Sequence, residues 1–230
     1  MLNITWLSHS SFLVQHEKWS LLFDPYFTGN PKAKTEARDV RCTHVFCSHA
    51  HEDHSVDVIE IAERNQAPIF APYELSEYFS AKTKLPVFDL MTGGTVKTEF
   101  GRVQLTPAWH SSAREMPEGQ NLALGEAAGF LVTIGGKIVY HAGDTALFSD
   151  MRLLARQPID VAFLPIGDYY TMGIDDAVAA LDLLCPRLTF PMHYNTTEKI
   201  AVDPDEFVGK AAAAGHRVKV LSVGETFSFS

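Results

Sequence analysis

His49, His51, Asp53 and His54 fall within Ser-His-Ala-His-Glu-Asp-His-Ser, residues 48 to 55, placing four side chains able to bind a metal within six positions. Imidazole nitrogens and carboxylate oxygens together suit zinc and the other divalent ions of the first transition row. Alternate residues of an extended segment project to the same side, so His49 and His51 can reach one ion together. Asp53 and His54, where the chain turns toward a helix, point elsewhere. Two pairs with different directions call for two metal positions, each completed by ligands from distant parts of the chain. Candidates at the ends of expected strands are His110 in Ala108-Trp109-His110-Ser111-Ser112, Asp144 in Tyr140-His141-Ala142-Gly143-Asp144-Thr145, and His193 in Pro191-Met192-His193-Tyr194-Asn195.

Such ligands need rigid elements behind them. Leu2, Ile4 and Trp6 alternate with Asn3 and Thr5, and residues 12–15 and 20–23 follow after short polar breaks, which predicts a meander of strands. Residues 43–47 form a short apolar strand leading into the histidine cluster, and 56–64 behind it have helical spacing. The cluster therefore sits on a strand-to-helix loop, where ligands can converge while packed elements hold them. Strands are predicted at 102–106, 129–134, 137–140 and 161–166, the last buried on both faces. Asp175 and Asp176 open a helix that Pro186 ends. Asp203, Pro204 and Glu206 match the N-cap, N1 and N3 positions of a second helix, closed by Gly215. Residues 217–223 and 226–229 are expected to return as strands. The class is α/β or α+β, with a sheet in each half, outer helices, and one domain over residues 1–230.

The chain's composition, 46% hydrophobic and 20% charged, is that of a folded globular protein. No apolar run approaches the roughly 18 residues that span a bilayer, and the N-terminus alternates instead of forming a signal sequence, so a cytoplasmic protein without membrane contact is expected. A formal charge of −9 with no basic run argues against nucleic acid, leaving room only for a local basic pocket that takes one phosphate. Cys42, Cys47 and Cys185 form no Cys-x-x-Cys pair and are expected as buried free thiols, with Cys47 notable for preceding His49 by two positions. Neither a Gly-x-Ser-x-Gly elbow nor a Walker loop is present.

These motifs, in this order, resemble the metallo-β-lactamase superfamily, whose pattern is His-x-His-x-Asp-His, a distant His, a Gly-Asp at a strand end, and a last His. All seven ligand positions are filled between residues 49 and 193. Within the superfamily the chain is similar to small metal-dependent hydrolases of the ascorbate-6-phosphate lactonase-like kind. The markers are Trp6-Leu7-Ser8-His9-Ser10-Ser11-Phe12, residues 140–145 and residues 191–195. The resemblance implies a four-layer αββα metallo-β-lactamase-like sandwich with the site at one edge of both sheets. It implies His49, His51 and His110 around one metal, Asp53, His54 and His193 around a second, and Asp144 between them. Two divalent ions are expected, Zn2+ first, with Mn2+, Ni2+ or Fe as alternatives. The chain departs from the subgroup at residues 167–173, Gly-Asp-Tyr-Tyr-Thr-Met-Gly, where Gly-Asp-Asn-Phe-Thr-Met-Gly is expected.

The implied activity is hydrolysis of a small ester, lactone or phosphoester. A dinuclear centre lowers the pKa of its bridging water from about 15.7 toward about 7, supplying hydroxide without a protein nucleophile. Asp53 and Asp144 are the catalytic carboxylates in this reading, Asp53 orienting the hydroxide and shuttling its proton. A di-iron enzyme that reduces oxygen or nitric oxide is the alternative on the same scaffold, and a metal held only for folding is a third reading. Around the ligands, His9 is expected either behind a ligand or on the pocket wall, His141 and Asp57 as supports for a ligand, and Asn195 or the Ser111-Ser112 pair as a donor to the oxyanion. Tyr169 and Tyr170 divide between core filling and substrate contact. The expected partner is a small-molecule substrate, and the chain leaves room for a homo-oligomer.

Overall fold

Period-two alternation in the first strands sorts their side chains into two separate cores. In the computed structural model, which describes residues 1–116 and 119–230, the strands are β1 (Leu2–Ser8), β2 (Ser11–His16), β3 (Trp19–Phe23), β4 (His44–Phe46), β5 (Ile69–Pro72) and β6 (Val87–Leu90). They continue as β7 (Thr95–Lys97), β8 (Gly101–Pro107), β9 (Ala113–Glu115), β10 (Asn121–Ala123), β11 (Ala128–Ile134), β12 (Lys137–His141), β13 (Val161–Pro165), β14 (Leu188–Met192) and β15 (Thr226–Phe229). The helices are α1 (Glu52–Ser55), α2 (Val58–Asn65), α3 (Tyr73–Ser80), α4 (Met151–Leu154), α5 (Ile174–Leu184) and α6 (Pro204–Ala213).

One sheet has seven strands in the order β15-β1-β2-β3-β4-β5-β6, the other six in the order β14-β13-β12-β11-β8-β7, and both mix parallel and antiparallel pairs. Ile4, Phe12, Phe23, Phe46 and Phe70 of the first sheet face the second, while Leu22, Val45, Ile69 and Ala71 face the opposite way onto Val58, Ile61 and Ala62 of α2 and Leu75 and Phe79 of α3. On the inner face, Phe23, Phe46, Phe70 and Phe88 stack in a ladder with centroids 4.7, 4.7 and 4.4 Å apart. Phe12 stacks on Phe163 of the second sheet at 4.0 Å. Each such buried ring contributes about 1.5–3 kcal/mol, so the ladder locks the register of four strands. Helices α4, α5 and α6 cover the far face of the second sheet with Met151, Ala177, Ala180, Leu181, Phe207 and Ala211. The layers run helix, sheet, sheet, helix, as expected.

Three expectations need correction. Residues 217–223 are not a strand: after a single parallel bridge between Val218 and Thr189 the chain leaves that edge, because its last strand must pair with β1 in the other sheet. The division of one sheet per half holds apart from that strand, β15. Cys185 is exposed instead of buried, since it ends α5 in the left-handed conformation, while Cys42 and Cys47 are buried as expected. The unit β5-α3-β6 and the β9-β10 hairpin fall outside the predicted elements. Among the described residues no helix is long and apolar enough to cross a membrane.

Candidate metal centre

Strands β1, β3, β4, β8, β12 and β14 all end at the same rim of the sandwich, and the loop after each carries one part of the site: His9, Asp24, the 49–54 cluster, His110, Asp144 and His193. Carboxyl ends of strands are where loops meet over a crevice, so residues far apart in sequence converge there. Backbone hydrogen bonds join the two sheets at this rim: Ala128 N–H donates to Ser48 O at 3.0 Å and His193 N–H to His9 O at 3.2 Å. Trp109 N–H donates to Thr145 Oγ1 at 2.9 Å, tying the His110 loop to that of Asp144. Gly143 has φ +62°, and a Cβ there would come 2.4 Å from Ala128 O, so only glycine lets the chain bring Asp144 this close. Asp24, His9 and His193 adopt left-handed backbone at φ 43°, 55° and 53°, a cost that the surrounding structure must offset.

The seven predicted ligand residues come together. His51 Nδ1 lies 2.9 Å from His49 Nε2 and 3.3 Å from His110 Nε2, so this trio converges on one point. His54 and His193 meet Asp53 on the other side, where His9 joins them with its Nε2 3.2 Å from Asp53 Oδ2. Asp144 stands between the groups: its Oδ2 is 3.0 Å from His193 Nε2, 3.3 Å from His54 Nε2, 3.7 Å from His110 Nε2 and 4.0 Å from His49 Nε2.

The electrostatics fit a cation. Among the described residues Asp24, Asp53 and Asp144 have only histidines as basic neighbours within 4.0 Å. Burial alone would lower His54, yet the carboxylates of Asp144, Asp24 and Asp53 lift it well above its ordinary value, so a proton there holds the place of a positive ion. Burial alone would raise Asp144, but His193 and His54 hold it well below the usual carboxylate range. Burial, reinforced by His54, pushes His49 well down, leaving its lone pair free. His54 Nε2, His9 Nε2 and Asp144 Oδ1 are buried without a hydrogen-bond partner. Buried polar atoms left bare cost about 1–3 kcal/mol each, and an ion at this point would satisfy them together.

Asp24, absent from the predicted set, organises the centre from behind. Its Oδ2 lies 2.8 Å from His54 Nδ1 and accepts from Ser48 Oγ at 2.6 Å, while Oδ1 accepts from Ser48 N–H at 2.7 Å. Ser48 Oγ is in turn 2.9 Å from His49 Nδ1. With the serine proton given to Asp24, the hydroxyl accepts from His49 Nδ1–H, and one carboxylate sets the tautomers of a histidine in each group. No spacing rule singles out an Asp before Pro25; only its position after a predicted strand was available as a signal.

Other expected supports act differently. Asp57 touches no ligand: its Oδ2 accepts from the backbone N–H groups of Phe27 and Thr28 at 2.6 and 2.9 Å, because a carboxylate at the start of α2 faces that loop. Asp57→Ala is therefore expected to lower stability by about 1–3 kcal/mol, read by denaturant unfolding, with metal content unchanged. His141 donates from Nε2 to Ser10 O at 2.9 Å and accepts Gly143 N–H at Nδ1, so it braces the Asp144 turn without reaching a ligand ring. Asn195 is exposed, accepts Val202 N–H through its side-chain oxygen at 2.8 Å, and does not line the cavity beside the histidines. Ser112 accepts Ala50 N–H and donates to Leu124 O, whereas Ser111 borders the cavity. Cys47 donates to His49 O at 3.2 Å from the opposite face of its strand, and burial raises its thiol well above the ordinary value, so it is inert.

The centre opens into a cavity of about 860 Å³, walled by Tyr26, Tyr170, Thr196 and Lys199, with His9 placed on its wall as expected. Tyr169 and Tyr170 are exposed, which settles their choice against core filling. A profile of the beta-lactamase superfamily domain matches residues 20–194. The chain is similar to a UPF0173 metal-dependent hydrolase of Opitutus terrae, 51% identical over 98% of this chain and 99% of the relative. A UPF0173 metal-dependent hydrolase of Archaeoglobus fulgidus is 42% identical over the whole of both chains. The structure of Igni18, a novel metallo hydrolase from the hyperthermophilic archaeon Ignicoccus hospitalis, superposes with a TM-score of 0.89 and 36% identity, covering 100% of this chain and 99% of that one. With its layered sheets, its convergent histidines and these full-length matches, the chain belongs to the metallo-β-lactamase superfamily and, within it, to the UPF0173 family of metal-dependent hydrolases.

Proposed function

We propose that the chain acts as one domain over residues 1–230, in the cytoplasm, hydrolysing a small ester, lactone or phosphoester with two divalent ions, zinc foremost. The observation that carries this reading is Asp144 Oδ2, which lies within 4.0 Å of the Nε2 atoms of four histidines divided between two groups. His49, His51 and His110 would hold one ion, Asp53, His54 and His193 the other, and Asp144 both. Ions bound there would supply Lewis-acid polarisation of the attacked oxygen and would lower the pKa of a water toward about 7. The chain's own residues do the rest. Asp53, part-exposed toward the cavity, is held far below the ordinary carboxylate value: burial acts against this, but His54 and His9 outweigh it. As an ionised carboxylate at the floor of the pocket it can accept a hydrogen bond from the nucleophile and orient it. His9 stands with its Nε2 3.2 Å from Asp53 Oδ2, and Thr196 Oγ1 fixes its other nitrogen at 2.9 Å. Ser111, on the wall 3.5 Å from His51, is placed to donate to a substrate oxygen.

Protein purified without added metal is expected to retain two equivalents of zinc, manganese or nickel by elemental analysis, and to hydrolyse members of a carboxylic ester, lactone and phosphodiester panel. Two equivalents of iron with a visible absorption band and oxygen or nitric oxide reduction would favour the redox alternative. Burial lowers His49, His51 and His110 from the ordinary histidine value, which favours their unprotonated, metal-binding form. Turnover is therefore expected to stay level near neutrality and to fall as pH drops through and below the histidine range, because protonated imidazole cannot bind metal. A rate that stayed flat into acid would count against the reading.

A further inference from the structure

The cavity has one feature that the hydrolytic chemistry leaves unused. Lys199 is the sole Lys or Arg among the residues lining it. Its Nζ donates to Tyr170 Oη at 3.2 Å and lies 5.1 Å from the centroid of the Tyr169 ring and 5.7 Å from that of Tyr170. Among the described residues Lys137, Lys210 and Lys219 each have a carboxylate partner, Lys210 sitting between Asp175 and Glu206 at 2.6 and 2.8 Å. Among the described residues no carboxylate comes within 4.0 Å of Lys199, although Glu198 also borders the cavity. Hydrogen bonding to Tyr170, aided by the two aromatic rings, raises the Lys199 ammonium above its ordinary value, so its charge is permanent at working pH.

A cation on the wall with no carboxylate beside it among the described residues and a metal-binding floor make a two-point site. We propose that the substrate is a small anion, carrying a carboxylate or phosphate remote from the bond that is cleaved, and that Lys199, positioned by Tyr170, is the residue that selects it. This deepens the hydrolytic reading and rests on it for the role of the floor. Cavities of about 300–1,000 Å³ take small ligands whole, and a few placed polar groups fix their orientation. A flexible ammonium suits this task because it accepts either anion as a point charge. Thr197, on the same wall, is available to share the anion's oxygens.

The test needs no turnover. Butyrate, glutarate and 4-phosphonobutyrate are titrated calorimetrically into the zinc-loaded protein. Both dianions are expected to bind at least about tenfold tighter than butyrate, with the gap shrinking in salt. Whichever dianion binds tighter identifies the recognised group. Lys199→Met is expected to bring the dianions to within about twofold of butyrate, Lys199→Arg to keep the gap, and Tyr170→Phe to narrow it, with melting temperature and metal content unchanged. Equal binding of the three acids by the wild type, no binding at all, or a gap that survives in Lys199→Met would overturn the proposal. Preference for dianions without hydrolysis of any panel substrate would sink the hydrolytic reading alone, and hydrolysis without that preference would sink this one alone.

Discussion

Asp144→Asn is expected to lower hydrolytic turnover by about a thousandfold, equivalent to about 4 kcal/mol of activation free energy, and to leave the protein with fewer than two metal equivalents. Asp144 is 2% exposed, and its Oδ2 lies within 4.0 Å of Nε2 atoms from both histidine groups. Asparagine keeps the volume and removes the charge. A pair of dications, as proposed, would then be held with one fewer anion in a region where burial magnifies each charge. The amide must also present either an oxygen or a donating nitrogen to His193 at 3.0 Å, so it cannot serve both groups as the carboxylate does. Elemental analysis after dialysis and turnover on the best panel substrate read the two effects separately, with circular dichroism to show that the fold persists. Two retained equivalents together with wild-type turnover would remove Asp144 from the centre and with it the dinuclear reading.

The second large effect lies at a residue that touches no substrate. Asp24→Asn is expected to weaken metal binding by about 10–100-fold, measured by competition with a chromophoric chelator. Asp24 is fully buried, and it receives the Ser48 hydroxyl and backbone N–H while standing 2.8 Å from His54 Nδ1. An amide in its place offers donors where the carboxylate offered only acceptors. His54 then loses the partner that keeps its proton on Nδ1 and its lone pair on Nε2, and Ser48 loses the acceptor that orients it toward His49. Ser48→Ala, which disturbs only the His49 branch at 2.9 Å, is expected to fall between wild type and Asp24→Asn. Equal affinity in wild type and Asp24→Asn would show that packing alone orients the two rings.

Much of this was legible in the chain. The ligand types and their order are local properties: His-x-His on an extended segment, Gly-Asp after a strand, His after an apolar run. Strand alternation and the Asp203-Pro204 helix start were read correctly for the same reason, since period and capping depend on neighbours a few residues away. The errors share an opposite cause. Asp57 and Asn195 are polar residues near ligands in sequence whose side chains turn to backbone groups instead, and residues 217–223 have a strand's pattern without an edge to pair along. Asp24 was missed because its partners lie 24 and 30 residues away.

The sequence by itself determined that seven candidate ligand side chains are present, in which order, and on what kinds of loop, because those facts follow from residue type and local periodicity. Only the tertiary structure decided that six strand ends share one rim, that Asp144 stands between two histidine groups, that His9 joins one of them, and that Asp24 orients both from behind. It also placed Lys199 over the cavity with no carboxylate within 4.0 Å among the described residues. These are distances between residues far apart in the chain, fixed by how two sheets pack through interlocked aromatic rings, and no local pattern encodes them.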